Sequence, residues 1–172
     1  MQQADRSEDL SLQASNVRKE LAPDMPPESI AASLLLEQAP DALIFADRAG
    51  VIRVWNAAAE RIFGFTASDA IGRQLDIIIP DALRDAHWQG YHRALAAGDT
   101  KYRGQSLPTK AVMADGSQIY VELSFAIVHA SDGQVTGAMA EAREITERFQ
   151  RDRDLRRRLR ELEQASNIPP AS

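Results

Sequence analysis

The chain has 172 residues, 44% hydrophobic and 26% charged, with a formal net charge of −5, the composition of one globular domain with extensions. Its acidity gives no overall pull toward nucleic acid or anionic lipid, and no apolar run approaches the ~18 residues that a spanning helix needs. It has no cysteine, which excludes disulfides, thiolate metal sites and cysteine nucleophiles.

The opening "MQQADRSEDLSLQ" is polar and has no apolar centre, so it is not a secretory signal, and the expected compartment is the cytoplasm. Residues 1–29 carry six acids against three bases and end in "APDMPPES", which reads as a tail. Within it, "LQASNVRKEL" spaces Leu12, Val17 and Leu21 as a short amphipathic helix would, leaving a docked helix and a mobile arm both open.

Order is expected from about residue 30. Ser29 is placed to cap a short helix that stops before Pro40. Leu43, Ile44 and Phe45 read as a buried strand, Asp47-Arg48-Ala49-Gly50 as a turn, and Val51–Trp55 as the returning strand. Asn56 is a good N-cap for "AAAERIF", and Gly64 can adopt the positive φ that ends a helix. "TASDAIG" follows as a one- to two-turn helix, with Thr66 capping, Asp69 in the capping-box position and Gly72 closing. After the apolar "LDIIIP", residues 81–97 form the longest helix of the core, ended by Gly98.

A strand around 102–113, interrupted by Pro108, is expected to meet "SQIYVELSFAIV" across the turn "ADG". In the second strand Ile119, Val121, Leu123, Phe125 and Ile127 alternate with Tyr120, Glu122 and Ser124, a period of two. "SDG" turns the chain into "QVTGAMAEA". This order predicts an α+β fold with one antiparallel sheet and helices on one of its faces. The final "EITERFQRDRDLRRRLRELEQ" is a long helix on which Ile145, Phe149, Leu155, Leu159 and Leu162 form a narrow apolar seam. Its six arginines between 151 and 160 are interleaved with Asp152, Asp154, Glu161 and Glu163, which suits a solvated face rather than a nucleic-acid arm. The seam suits a dimeric coiled coil.

"ALIFADRAGVIRVWNAAAERIFGFTASDAIGRQL" resembles the first half of a PAS domain, and "MADGSQIYVELSFAIVHASDGQVTGAMAEAREITER" resembles the second. The likeness runs from about residue 30 to 148. It implies a PAS fold: a five-stranded antiparallel sheet of order 2-1-5-4-3, flanked by short helices that close a pocket over one face. The expected layout is therefore a tail or cap helix over 1–29, a PAS domain over 30–148 and a coiled-coil-like helix and tail over 149–172. In that family a pocket event shifts the sheet, and the C-terminal helix passes the change to an effector. No kinase, cyclase or DNA-binding motif follows residue 148, so a stand-alone bacterial regulator and a fragment are both expected readings. The implied partners are a second copy, an unidentified kinase or transcription regulator, and a small-molecule ligand, with no direct nucleic acid and no membrane.

The expected pocket residues are Ile62, Phe63, Ile71, His87, Tyr91, Leu107, Leu123, Phe125 and Met139. His87 shares a helical face with Leu83, Tyr91 and Ala94. By resemblance to FixL-type heme-binding PAS sensors it falls on the proximal histidine, the axial ligand of heme iron, with Leu123 and Phe125 over the distal side. The alternative is a packed or pocket-lining histidine. Leu107 stands where those sensors carry the arginine that contacts bound oxygen, Gln105 where one branch has a methionine ligand, and Gly90 where a tyrosine is found. Heme b is thus one candidate cofactor. FAD is a weaker one, since covalent flavin photochemistry needs a cysteine and no tryptophan-bearing flavin clamp is evident. His92 and His129 read as exposed, and Trp55 as a core aromatic. Trp88, turned ~100° from His87, suits a dimer contact or a cover for the pocket entrance. No nucleophile elbow, zinc-helix motif or phosphate loop is present, so the expected role is non-catalytic.

Overall fold

The computed structural model describes residues 29–166, so the proposed helix within residues 12–21 lies outside the described residues. Packing divides the chain into two units, Met1–Leu35 and Leu36–Ser172. The described part of the first is the opening of helix α1 (Ser29–Gln38), which crosses the boundary.

The second unit is built on hairpins. Strands β1 (Ala42–Asp47) and β2 (Ile52–Trp55) pair around the expected turn. Asp47 organises that turn: its carboxylate accepts from the N–H groups of Ala49 and Val51 and from Arg53. Gly50 completes it with φ 77°, and a side chain there would collide with the Trp88 ring.

Asn56 then starts α2 (Ala57–Phe63). Its Oδ1 accepts from Ala59 N at 2.9 Å and Leu43 N at 2.9 Å, while Nδ2 donates to the carbonyls of Leu36 and Asp41. One buried amide thereby caps a helix and ties it to the start of the sheet. Thr66 caps the single turn α3 (Ala67–Ala70), bonding both the N–H and the carboxylate of Asp69. A 3₁₀ turn over Leu75–Ile78 leads to α4 (Asp81–Ala97), which ends at Gly98 with φ 65°.

Strands β3 (Leu107–Val112), β4 (Gln118–His129) and β5 (Val135–Glu144) complete one antiparallel sheet of order β2-β1-β5-β4-β3. Two details differ from expectation. The strand begins at Leu107, because residues 101–104 form a turn in which Gln105 N donates to Tyr102 O. Pro108 does not interrupt β3 but lies within it opposite Glu122; β3 is an edge strand, where a missing N–H is tolerated.

Sheet register sorts the side chains. Ile44, Ala140 and Phe125 lie in one row across β1, β5 and β4, and Ala46, Ala138 and Ile127 in the next. These point to the inner face, while Phe45, Met139 and Ala126 form a row on the outer face. The core sits on the inner face between the sheet and α2, where Ile44, Ile52, Trp55, Ala59, Phe63 and Val121 pack together. Trp55 contacts Phe63 with ring centroids 5.4 Å apart and donates Nε1 to Phe65 O. It is a core aromatic, as expected.

Helix α5 (Thr146–Ser166) leaves the end of β5. Ile145 and Phe149 at its root are covered, whereas Leu155, Leu159 and Leu162 are each more than half exposed. No helix among the described residues is long and apolar enough to cross a membrane.

Candidate functional site

Helix α4 contributes no fully buried residue, although it is the longest helix over the sheet. It is held by its flanks. Tyr91 Oη donates to the carbonyls of Asp47 at 2.7 Å and Ala46 at 3.1 Å. Trp88 Nε1 donates to Asp76 Oδ1 at 2.8 Å, and Arg84 reaches the carbonyls of Asp76 and Ile79. These contacts support the helix at one edge and leave space between its inner side and the sheet.

That space is a cavity of about 490 Å³, within the ~300–1,000 Å³ typical of small-molecule sites. Its floor is Ile44, Ala46, Ala138, Ala140, Leu123, Phe125 and Ile127. Three of those are alanines, which keep the sheet side flat. Its roof presents Ala86, Gly90, Ala94 and Ala97 beside His87 and Tyr91. Asp99, Thr100, Lys101 and Tyr102 border it beyond the C-terminus of α4, with Arg93 on the helix. Tyr102 packs against Phe125 with centroids 6.1 Å apart.

Within the cavity His87 stands apart. Its Nε2 is the one buried side-chain N or O atom among the described residues that has no hydrogen-bond partner. The ring lies 5.8 Å from Tyr91, nearly parallel to it. Burial pulls the imidazole below its ordinary value and the charge of His92 adds to this, against the opposing pull of the Asp76 carboxylate. The imidazole is therefore neutral near pH 7. Burial, and then the charge of Asp47, push the Tyr91 phenol up to about 12, so its hydroxyl stays protonated and committed to the two carbonyls.

The structure brings together His87, Tyr91, Leu123, Phe125 and Met139 at the cavity. Met139 borders it through its backbone, since its register partners Phe45 and Ala126 mark the outer face. Four expected residues are elsewhere. Phe63 is fully buried in the core, and Ile62 packs beside it, because α2 lies directly on β1 rather than over the hollow. Ile71 ends α3 and is 46% exposed, at the β2 edge of the sheet, away from the cavity floor. Leu107 pairs with Leu123 but begins the opposite edge strand and is 40% exposed. Leu83, expected on the His87 face, is 39% exposed.

His92 and His129 are exposed, as expected. Trp88 covers the β1–β2 turn at Gly50 rather than the cavity mouth. Sequence reasoning missed Ile44, Ala46, Ala138, Ala140, Arg93, Lys101 and Tyr102. Small residues on β5 carry little hydropathic contrast; the only available signal was their period-two spacing.

No group of three or more potential metal-ligating side chains occurs among the described residues. Between α4 and the sheet the lining is mostly hydrocarbon, beside the His87 ring and the committed Tyr91 hydroxyl. Such a site can hold an apolar guest.

A sequence profile of the PAS fold matches residues 36–150. The chain is 37% identical over 124 residues to an uncharacterized protein of Azorhizobium caulinodans, covering 72% of this chain and 17% of that one. It is 31% identical over 90 residues to the sensor protein FixL of Bradyrhizobium diazoefficiens, covering 52% of this chain and 18% of FixL. The chain thus spans less than a fifth of the length of these relatives. Among solved structures, a PAS domain from Colwellia psychrerythraea superposes with a TM-score of 0.60 at 19% identity, covering 69% of this chain and 97% of that one; that likeness concerns the fold.

Proposed function

The chain belongs to the PAS family, and on that premise we propose that it is a non-catalytic sensory module whose pocket ligand acts, through the C-terminal helix, on a partner protein. The observation that supports this reading is the cavity of about 490 Å³ between α4 and the sheet, with a largely apolar lining to which His87 contributes. The proposed layout is a tail or cap helix over 1–29, the sensory domain over 30–148 and a signalling helix over 149–172, working in the cytoplasm as a homodimer.

Strand β4 supplies the relay. Leu123 and Phe125 face the cavity, while Tyr120 and Glu122, on the opposite face of the same strand, grip the root of α5. Tyr120 N donates to Thr146 Oγ1, Ile145 N donates to Tyr120 O, and Arg148 pairs with Glu122. A guest that displaces Leu123 or Phe125 tilts the strand holding the helix. The partner, a kinase or transcription regulator, reads that tilt.

The test is native mass spectrometry of the purified chain. The expected result is a bound small molecule, released on unfolding and absent from Gly90→Phe, whose ring fills the hollow. Unliganded wild-type protein that also fails to bind any member of a small-molecule library overturns the reading.

A second reading is favoured by His87 itself. An imidazole nitrogen that is neutral, buried and unpaired suits an axial bond to heme iron, and the hydrocarbon floor of Leu123, Phe125 and Ile127 suits the macrocycle's face. His87 would hold the iron, and the heme would supply a gas-binding or redox centre. A Soret absorption band in purified or hemin-reconstituted protein, lost in His87→Ala, supports this reading; colourless protein after reconstitution removes it. FAD has no matching feature at this site.

A further inference from the structure

We propose that residues 98–104 form a lid over the cavity mouth: the loop swings on Gly98 and Gly104, and Tyr102, set against Phe125, is the gate. The inference rests on the pocket-ligand reading above and adds the route by which a guest enters and leaves.

The mouth lies at the end of α4. Of the residues lining the cavity, the exposed ones are Ala86 and Arg93 along the helix, and Ala97, Asp99 and Lys101 at its C-terminal end. The strand residues of the floor are all buried or half-buried. Tyr91 is also the last residue of α4 whose side chain hydrogen-bonds to another element. Beyond it the helix is held less firmly, and the loop to β3 begins there.

That loop is bonded to itself. The Asp99 carboxylate accepts from Thr100 N and from the Arg103 guanidinium. Thr100 Oγ1 accepts from Tyr102 N, Thr100 O from Arg103 N, and Tyr102 O from Gln105 N. Among the described residues, every hydrogen bond and ion pair of residues 99–105 closes within the loop. A segment linked to itself and not to its surroundings moves as one piece. It meets the rest of the fold through side chains: Thr100, 8% exposed, and Tyr102, whose ring centroid lies 6.1 Å from that of Phe125. The Asp99 carboxylate also feels the charge of His129.

The two ends can turn. Gly98 has φ 65° and Gly104 φ 70°, and glycine passes between such conformations with the least steric penalty. Lids hinge on a few loop or element-terminal residues of this kind. A Cβ added at Gly104 would meet nothing within 4 Å, so no neighbour packs against that hinge. Phe125 is both the seat of Tyr102 and part of the cavity floor. A guest lying on Phe125 therefore competes with Tyr102 for the same ring, and one aromatic pair changes a docking equilibrium by up to about tenfold.

The chain has no cysteine, so a single introduced thiol reports access without a guest. Ala138→Cys places it on the floor, at a position 9% exposed, and Val121→Cys places it in the core, at 2%. Iodoacetamide is the probe, applied to the full chain. Tyr102→Ala is expected to speed labelling of the floor thiol about tenfold and to leave the core thiol unchanged. Tyr102→Phe keeps the ring contact and is expected to leave both unchanged. Gly104→Val, a β-branched side chain at positive φ, is expected to displace the loop and speed the floor thiol as Tyr102→Ala does. Equal labelling in Tyr102→Ala and its parent overturns the gate, as does equal quickening of floor and core thiols. A Gly104→Val variant that labels like its parent overturns the hinge. None of these outcomes depends on a bound molecule, so the absence of any co-purifying guest counts against the sensory reading alone.

Discussion

Tyr120 on β4 and Phe149 on α5 stack face to face, with ring centroids 4.0 Å apart and planes inclined by 18°. The stack lies on the outer face of the sheet, opposite the wall that Leu123 and Phe125 present to the cavity. It clamps the first turn of a helix whose later turns are exposed. Phe149→Ala is expected to cost about 1–2 kcal/mol, from lost aromatic contact and buried area. Hydrogen exchange should quicken over residues 146–150 and remain slow in β1. Uniform quickening throughout the sheet would show that the stack is not a local joint.

Asn56 uses all four of its side-chain hydrogen-bonding positions in a site that is 2% exposed. Asn56→Ala removes a helix cap and strands two N–H groups and two carbonyls. The expected cost is about 3 kcal/mol, measured by urea unfolding. Asn56→Asp should also destabilise, because its second oxygen faces the Leu36 and Asp41 carbonyls where the amide donated.

Gly90 lies in mid-helix over the hollow. Gly90→Ala restores helix propensity without a clash and is expected to stabilise the unliganded protein by about 0.5–1 kcal/mol, read as a raised Tm. Gly90 lines the cavity and an added Cβ there meets nothing within 4 Å, so ligand affinity is expected to fall as the side chain at this position grows.

His87 predicts an acid-sensitive stability. Its imidazole is held below the ordinary 6.5 in the folded chain, chiefly by burial, so between the two values the unfolded chain binds the proton more readily. Its contribution is present above about pH 6.5 and is lost as pH falls through the folded value. Asp41, held below 3.8 chiefly by the hydrogen bond from Arg143, loses its contribution as pH falls below 3.8. His87→Leu is expected to flatten the stability profile as pH falls below 6.5. An unchanged slope would assign it to another group.

Leu155, Leu159 and Leu162 follow one another at spacings of four and three, and all are exposed. Replacing the three with lysine is expected to convert the proposed dimer to a monomer in light scattering without lowering the stability of the sheet. A variant that remains dimeric would place the principal interface on the domain itself.

The local features were legible in the amino-acid order. Asn56, Thr66, Gly64 and Gly98 act through neighbours within a few residues, and the alternation along β4 is complete within twelve positions. Those choices depend on backbone geometry and a single solvent-facing pattern, so chain order was enough to place the hairpins, the helices and, with the family likeness, the strand sequence. Periodicity put His87 and Tyr91 on one helical face and Leu123 and Phe125 on one strand face; the expectation that these faces border a pocket came from the family likeness.

Which apolar residues border the hollow, and which fill the core, was decided only by assembly. Ile62 and Phe63 look as suited to a pocket as Ile44, yet α2 lies on the sheet while α4 is held away from it by Tyr91 and Trp88. Ala138 and Ala140 become the floor because β5 runs between β1 and β4, a pairing of residues nearly a hundred positions apart in chain order. Long-range pairing and the height of a helix above a sheet are collective properties: they follow from side chains meeting across the fold, and no local window of sequence contains both partners.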